Sequence, residues 1–264
     1  MNARILHVSD LHAGTHEDVA VEPALAALVE QVAPTLVVAS GDLTHRGRPA
    51  EHDRAHAFLS GLGPPVLAVP GNHDIPLLPP ARVTRPWREF ERRWGPTEAE
   101  HSADGLHVVG LNSVRPLRHQ GGALSGEQLR DAAERLGRTP AEAFRVVVLH
   151  HHLLGAPWRA ARKRPVSHRN TVLQALVEAG ADLILAGHIH QSAVSERREF
   201  EVVSGEVRGA VVAIAPGLGQ PRPNRLGEAR GLHVHEVSDD ALTVRTHVWE
   251  GRDWQLVAER RFPR

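Results

Sequence analysis

VVVLHHHLLG, residues 146–155, runs four apolar residues straight into three consecutive histidines. A short β-branched run of this kind reads as a buried strand. Imidazoles at its end are either metal ligands or an ordinary polar turn. The chain holds 19 histidines, so their spacing decides between the two. Structural histidines should be scattered, whereas ligands should recur at equivalent places.

Working outward, apolar runs alternate with helical patterns. RILHVS (4–9), TLVVAS (35–40), PVLAVP (65–70), LHVVGL (106–111), RVVVL (145–149) and DLILA (182–186) read as strands. Between them, residues 22–33, 49–62, 85–95, 125–137 and 171–180 carry helical spacing, with Ser125 and Gln128 as a capping box. Strands separated by helices imply βαβ units, parallel pairing and helices on both faces. After residue 191 the runs 199–216, 231–249 and 254–260 are joined by tight turns. That predicts an antiparallel second half, forming a second sheet packed on the first. We read residues 1–264 as one domain, with metal-binding βα units over 1–191 and a β-rich half over 192–264.

Each of five strands discharges a ligand type at its carboxyl end: Asp10 and His12; Asp42; Asn72, His73 and Asp74; His150; and His188 and His190. That edge is where α/β sheets bind ligands. Asp10/His12 and His188/His190 are i, i+2 pairs, which in extended backbone point to one side. Gly41, Gly71 and Gly187 permit sharp turns and close approach. Asp42 has two oxygens and can bridge two cations roughly 3.5–4 Å apart. The chain has no cysteine, so imidazole, carboxylate and amide must do the work, a set suited to Mn, Fe, Zn or Co.

These blocks resemble the calcineurin-like metallophosphoesterases. The family pattern D-x-H, G-D, G-N-H-D, H and G-H-x-H stands here as Asp10-Leu11-His12, Gly41-Asp42, Gly71-Asn72-His73-Asp74, His150 and Gly187-His188-Ile189-His190. The resemblance implies an α/β fold, a two-sheet β-sandwich flanked by helices. It implies two divalent transition-metal ions, Mn and/or Fe with Zn or Co as alternatives. Asp10, His12, Asp42 and His190 would hold one; Asp42, Asn72, His150 and His188 the other. His73 would be the acid or phosphate-contacting histidine, with Asp74 orienting it and Asn72 also facing substrate. Hydroxide bridging the metals would attack phosphorus. HVSDLH, SGDLTHRGRPAEH and VPGNHD look most like class III cyclic-nucleotide phosphodiesterases. The alternatives are a phosphomonoesterase, a nuclease, or a non-catalytic scaffold on the same fold.

Within the triplet, His150 is the expected ligand and His151 the fallback; His151 and His152 otherwise support the site or face solvent. GDLTHRG aligns with the G-D-x-x-D-R-G of protein phosphatases, with His45 in place of the second aspartate. Arg46 is thus either a phosphate contact or a salt-bridged loop arginine. The basic run 158–165 reads as a solvated face or an anion-attracting rim, and the arginine-bearing loop 215–231 as a second rim. His16 is weighed as a site-lining residue. His233 and His235 read as strand-face histidines; His45, His52, His56, His101, His119, His168 and His247 as surface or packing residues.

Lys plus Arg and Asp plus Glu number 31 each. No global field draws nucleic acid, and no specific nucleic-acid module is present. The start MNARILHVSD has no signal-like apolar run, and no segment approaches membrane-spanning length. The expected partner is a small phosphoester substrate, in the cytoplasm, with the oligomeric state open and a dimer among the options.

Overall fold

The computed structural model describes residues 2–15, 20–103, 105–118, 120–156, 162–201, 209–219 and 230–264. His16, His119, residues 158–161 of the basic run and residues 220–229 of the second rim lie outside the described residues.

The chain runs β1 (Ala3–Val8), α1 (Val21–Val32), β2 (Leu36–Ala39), α2 (Pro49–Ser60), β3 (Val66–Ala68), α3 (Ala81–Thr84), α4 (Arg88–Trp94), β4 (Glu100–Ala103) and β5 (Leu106–Gly110). It continues through α5 (Gly126–Gly137), β6 (Phe144–Val148), α6 (Arg169–Glu178), β7 (Leu183–Ala186), β8 (Ala193–Glu196), α7 (Arg197–Phe200), β9 (Val211–Ile214), β10 (Gly231–Val237), β11 (Ala241–Trp249) and β12 (Trp254–Pro263). The strands form two six-stranded sheets, ordered β12-β11-β10-β1-β2-β3 and β4-β5-β6-β7-β9-β8.

Alternation along the strands sets the layers. Ile5, Val38, Leu67, Val237 and Val244 of the first sheet meet Val108, Val146, Val148, Leu185 and Ala213 of the second, filling the space between the sheets. The opposite face of the first sheet, with Leu6, Val8 and Val37, packs on Leu25, Leu28 and Val29 of α1, Leu59 of α2 and Phe90 of α4. The outer face of the second sheet packs Val147 and Ile184 on Leu136 of α5 and Val172 and Leu176 of α6. The result is the expected two-sheet sandwich flanked by helices. Helix starts follow local chemistry: Ser125 Oγ accepts from Gln128 N at 3.1 Å and Gln128 Oε1 from Ser125 N at 2.9 Å. α4 stops at Gly95, whose φ of 78° is open to glycine.

Three expectations are corrected. The β-rich second half does not build a sheet of its own. β10 pairs antiparallel with β1 and carries β11 and β12 onto the first sheet, while β8 and β9 extend the second. Alternating runs say which face is apolar, not which sheet edge they join, and the edges at β1 and β7 were both open. The strand expected from residue 199 begins later, because residues 197–200 form the turn of α7, with Glu199 Oε2 accepting from Glu196 N at 2.8 Å. β4 and β8 were not expected; EHSA and AVSE have no apolar alternation and serve as short sheet edges.

Parallel strands β1, β2 and β3 and parallel strands β6 and β7 discharge their loops at one end of the sandwich. Asp10 N donates to Gly41 O at 2.9 Å, His12 N to Asp42 O at 2.9 Å, and Gly187 N to His150 O at 3.0 Å. These bonds stitch the ligand-bearing turns together before any side chain is considered.

Candidate metal centre

Asp10, His12, Asp42, Asn72, His150, His188 and His190 are all buried, and all converge at that end. The i, i+2 pairs do not converge through extended backbone as expected. Asp10, His12, Asp42, His188 and His190 have φ of 52°, 50°, 52°, 73° and 56°. Left-handed residues on either side of Leu11 and Ile189 curl each pair inward. Non-glycine residues pay conformationally for this region, and such outliers gather at functional sites.

Space requires glycine at positions 41 and 71 of the site. Gly41, at φ 89°, would place a Cβ 2.7 Å from both Gly71 N and His150 Nδ1. A Cβ on Gly71 would collide with the backbone nitrogen and carboxylate of Asp42. The turns therefore touch backbone to backbone.

The donor atoms form two sets. His150 Nε2 lies 3.3 Å from Asp42 Oδ2, 3.3 Å from Asn72 Oδ1 and 3.2 Å from His188 Nδ1. His190 Nε2 lies 3.1 Å from Asp10 Oδ1 and 3.2 Å from His12 Nε2. His12 Nε2 is 3.9 Å from both Asp10 Oδ1 and Asp42 Oδ2. Ligands about 2.0–2.2 Å from one ion stand roughly 3–3.5 Å apart; the separations about His150 Nε2 and His190 Nε2 have that span, and His12 Nε2 stands wider from the two carboxylates. Asp10 Oδ1 and Asp42 Oδ2 are buried and receive no hydrogen bond. A buried anionic oxygen without a donor is costly unless a cation faces it. The residues present fit two metal ions.

The remaining atoms fix these ligands in place. His150 Nδ1 donates to Ser40 O at 2.8 Å, so Nε2 offers its lone pair to the centre. Asp10 Oδ2 accepts from Ser9 Oγ at 2.6 Å and from His188 N at 2.9 Å. Burial opposes ionisation of Asp10 and Asp42. The imidazoles of His190 and His150 outweigh it, holding both carboxyls well below the usual range. Burial lowers His12 to about 3 and takes His188 well below its ordinary value. Burial also opposes protonation of His150, but the Asp42 carboxylate outweighs it and raises His150 to about 9; a cation on Asp42 would compete with that proton for Nε2.

His73 is half-buried. Its Nδ1 donates to His45 O at 2.7 Å, and its ring meets His12 edge-on at 4.8 Å between centroids. The expected Asp74 contact is absent from this geometry. Asp74 instead accepts from Thr44 N at 2.8 Å, Thr44 Oγ1 at 3.0 Å and Gly71 N at 2.8 Å, bracing the turn. Burial raises the Asp74 carboxyl above its ordinary value. Its side chain points back into the turn because two buried backbone donors there need an acceptor.

His45, expected as a surface or packing residue, stacks on His73 at 5.9 Å and belongs to the same cluster. Arg46 is exposed beside it, with its backbone N–H donating to Glu51 Oε2 at 2.7 Å. His151 and His152 are buried, not solvated. Their ring centroids lie 4.7 and 5.8 Å from that of His188, and His151 Nδ1 pairs with Ser113 Oγ at 2.8 Å. Burial lowers His152 to about 4. Lys163 of the basic run is buried, while Arg118, Arg162, Arg164 and Arg169 line an open cleft of about 1270 Å³. Val166 N donates to His152 O at 3.2 Å, tying the cleft wall to the histidine triplet. Ser9, Ser40 and Ser113 carried no sequence signal; serines before a ligand are too common to single out.

A buried, sulfur-free nest of carboxylates, imidazoles and one amide at the strand ends of such a sandwich defines a metal-dependent phosphoesterase. A sequence model described as "Calcineurin-like phosphoesterase" matches residues 3–192. The chain belongs to that family of metal-dependent phosphoric ester hydrolases. It is 29% identical over 215 residues to a probable cyclic nucleotide phosphodiesterase of Synechococcus, covering 75% of this chain and 77% of that protein. It is 31% identical over 175 residues to the 3',5'-cyclic adenosine monophosphate phosphodiesterase CpdA of Haemophilus influenzae, covering 64% of this chain and 59% of that one. A purple acid phosphatase structure from yellow lupin superposes at a TM-score of 0.70, covering 100% of this chain and 54% of that one. At 13% identity that likeness speaks to the fold alone.

Proposed function

We propose that the protein is a dinuclear metal-dependent phosphodiesterase for small diesters, cyclic nucleotides foremost, working in the cytoplasm. The observation that carries this reading is the pair of donor sets meeting at Asp42, whose Oδ2 lies 3.3 Å from His150 Nε2 and 3.9 Å from His12 Nε2. Asp10, His12, Asp42 and His190 would hold one ion, and Asp42, Asn72, His150 and His188 the other. Mn and/or Fe fit the set, with Zn or Co as alternatives. When bound, the ions supply a nucleophile at neutral pH and neutralise phosphoryl charge.

The chain's own residues do the rest. His73 Nδ1 is committed to His45 O, which leaves Nε2 to pass a proton to the departing oxygen. Asp74 positions that histidine indirectly, by fixing the turn from Gly71 to Thr44. Asn72 presents an amide to substrate as well as to metal, and Arg46 stands at the rim as a phosphate contact. The arginines of the open cleft draw an anion toward the centre despite the zero net charge of the chain. The two phosphodiesterase relatives support the choice of diester. The test is an activity screen of the metal-reconstituted protein across cyclic nucleotides, linear diesters and monoesters. Diester turnover at least equal to monoester turnover is expected; a monoester preference at matched metal loading overturns the assignment.

A further inference from the structure

We propose that His7, His233 and His235 form a third metal site, taking one divalent transition-metal ion of the zinc, cobalt or copper kind between β1 and β10. It is separate from the two sites above. His7 follows Ala3 and Ile5 on the inward face of β1, and His233 and His235 precede Val237 on the inward face of β10, so the three imidazoles line the space between the sheets. His7 and His233 are direct cross-strand partners.

All three side chains are fully buried. One nitrogen from each lies within 4.8 Å of one from each of the others, and the ring centroids are 5.6–6.0 Å apart. Three nitrogens on one zinc-like ion at about 2.0–2.1 Å stand roughly 3.3 Å apart. Small turns of the rings, whose outer torsion is broad, close that gap.

The hydrogen bonding leaves ring nitrogens open to an ion. His7 Nε2 pairs with Ser40 Oγ at 2.9 Å and His233 Nε2 with Ser192 Oγ at 2.8 Å. Each serine fixes one ring nitrogen and leaves Nδ1 free, the usual outer support of a metal-bound histidine. Nδ1 of His7, Nδ1 of His233 and both nitrogens of His235 have no hydrogen-bond partner. Four orphaned ring nitrogens in one buried spot are unusual in a native interior. An ion would engage three of them. Burial also keeps the rings neutral, with His233 lowered to about 3 and His7 and His235 held well below their ordinary value. No proton has to leave before a metal binds. A set of three imidazoles with no carboxylate selects a borderline transition metal over magnesium or calcium.

The ion would pin β10, and with it β11 and β12, to the first strand of the sheet. It would also stand one residue from the main centre, because Ser40 bonds His7 through Oγ and His150 through its carbonyl oxygen.

The test is metal content per full-length chain after refolding with excess zinc or cobalt, which loads a buried site during folding. Asp42→Ala is used to empty the two sites proposed above. We expect three ions in the wild type, one in Asp42→Ala, two in His235→Leu and none in the double variant. In Asp42→Ala, cobalt should give the visible absorption of a nitrogen-ligated ion, and this should vanish with His235→Leu. Two ions in the wild type and none in Asp42→Ala overturn the third site while leaving the dinuclear reading intact. One ion in both, lost with His235→Leu, does the reverse. If His235→Leu does not fold, His233→Gln replaces it. Zinc must raise the melting temperature of Asp42→Ala but not of Asp42→Ala/His233→Gln; equal shifts refute the site.

Discussion

Replacing His73 by alanine separates proton transfer from metal binding, because the proposed mechanism gives them to different atoms of one residue. The backbone N–H of His73 donates to Asp42 Oδ1 at 2.8 Å. Truncating the side chain keeps that bond, so metal content should match the wild type. What is lost is an imidazole clamped through Nδ1 to His45 O at 2.7 Å, with Nε2 as its working atom. A positioned acid or base contributes roughly 10²–10⁴-fold, equivalent to about 3–5 kcal/mol of transition-state stabilisation. That loss should appear in full for diesters with poor alkoxide leaving groups and shrink for acidic phenols, which depart without a proton. The assay is kcat/KM for wild type and His73→Ala across aryl and alkyl diesters at matched metal loading. A penalty that does not vary with the leaving group would refute proton transfer and make His73 a phosphate-binding residue. Loss of metal in His73→Ala would refute the separation itself.

Asp42→Ala should abolish diester hydrolysis and remove both ions of the main centre, measured by elemental analysis; retention of two ions there defeats the bridging role. His150→Ala should lower metal content, while His152→Ala should leave it nearly unchanged, since His150 Nε2 faces Asp42 and His152 only stacks on His188. Gly71→Ala should lose metal and stability together, because its Cβ meets the backbone of Asp42; unchanged metal content and melting temperature would contradict the close approach. In metal-free protein, His233 has a folded value of about 3 against roughly 6.5 unfolded. The unfolded chain therefore binds more protons between those values. Its contribution is fully present above pH ~6.5 and is lost as pH falls toward 3, on the order of 3–5 kcal/mol. His150, raised to about 9, works the other way: its contribution is present below pH ~6.5 and lost as pH rises through 9. Urea unfolding of chelated protein at several pH values checks both, and no loss of stability between pH 6.5 and 4 would count against the buried neutral histidines.

The candidate ligand set was legible because each of its residues follows an apolar run closed by a turn, and strands in parallel βαβ units must discharge at one edge. The geometry that makes the residues converge was not legible. Positive φ at Asp10, His12, Asp42, His188 and His190 goes against the preference of every one of those residue types. Only the stitched turns impose it. Asp74 was misread for a related reason. A carboxylate next to a histidine in sequence invites pairing, but the backbone donors of Thr44 and Gly71 were closer in space and needed it more. His7 carries no signal of its own, because RILHVS fits a strand whatever its one histidine does. Its significance depends on β10 lying beside β1, a pairing between distant parts of the chain that local pattern cannot supply.

The replacement of an aspartate by His45 bears on the choice of substrate. In the proposed centre, two divalent ions face the carboxylates of Asp10 and Asp42, with imidazoles and an amide adding no charge. That leaves a net charge of about +2 at the strand ends, which matters more than the zero balance of the whole chain. A diester brings one negative charge and an anionic nucleophile another, so the pair is neutralised where it reacts. A monoester dianion would bring one charge more for protein cations to meet. Among the described residues, the exposed Arg46 and the cleft arginines are candidates for that task. Hydrolysis of monoesters should therefore depend on these arginines far more steeply than hydrolysis of diesters. Arg46→Ala and Arg169→Ala, assayed on one diester and one monoester with the same leaving group, read that difference directly. Equal losses on both would mean that the metal-site charge does not set the preference.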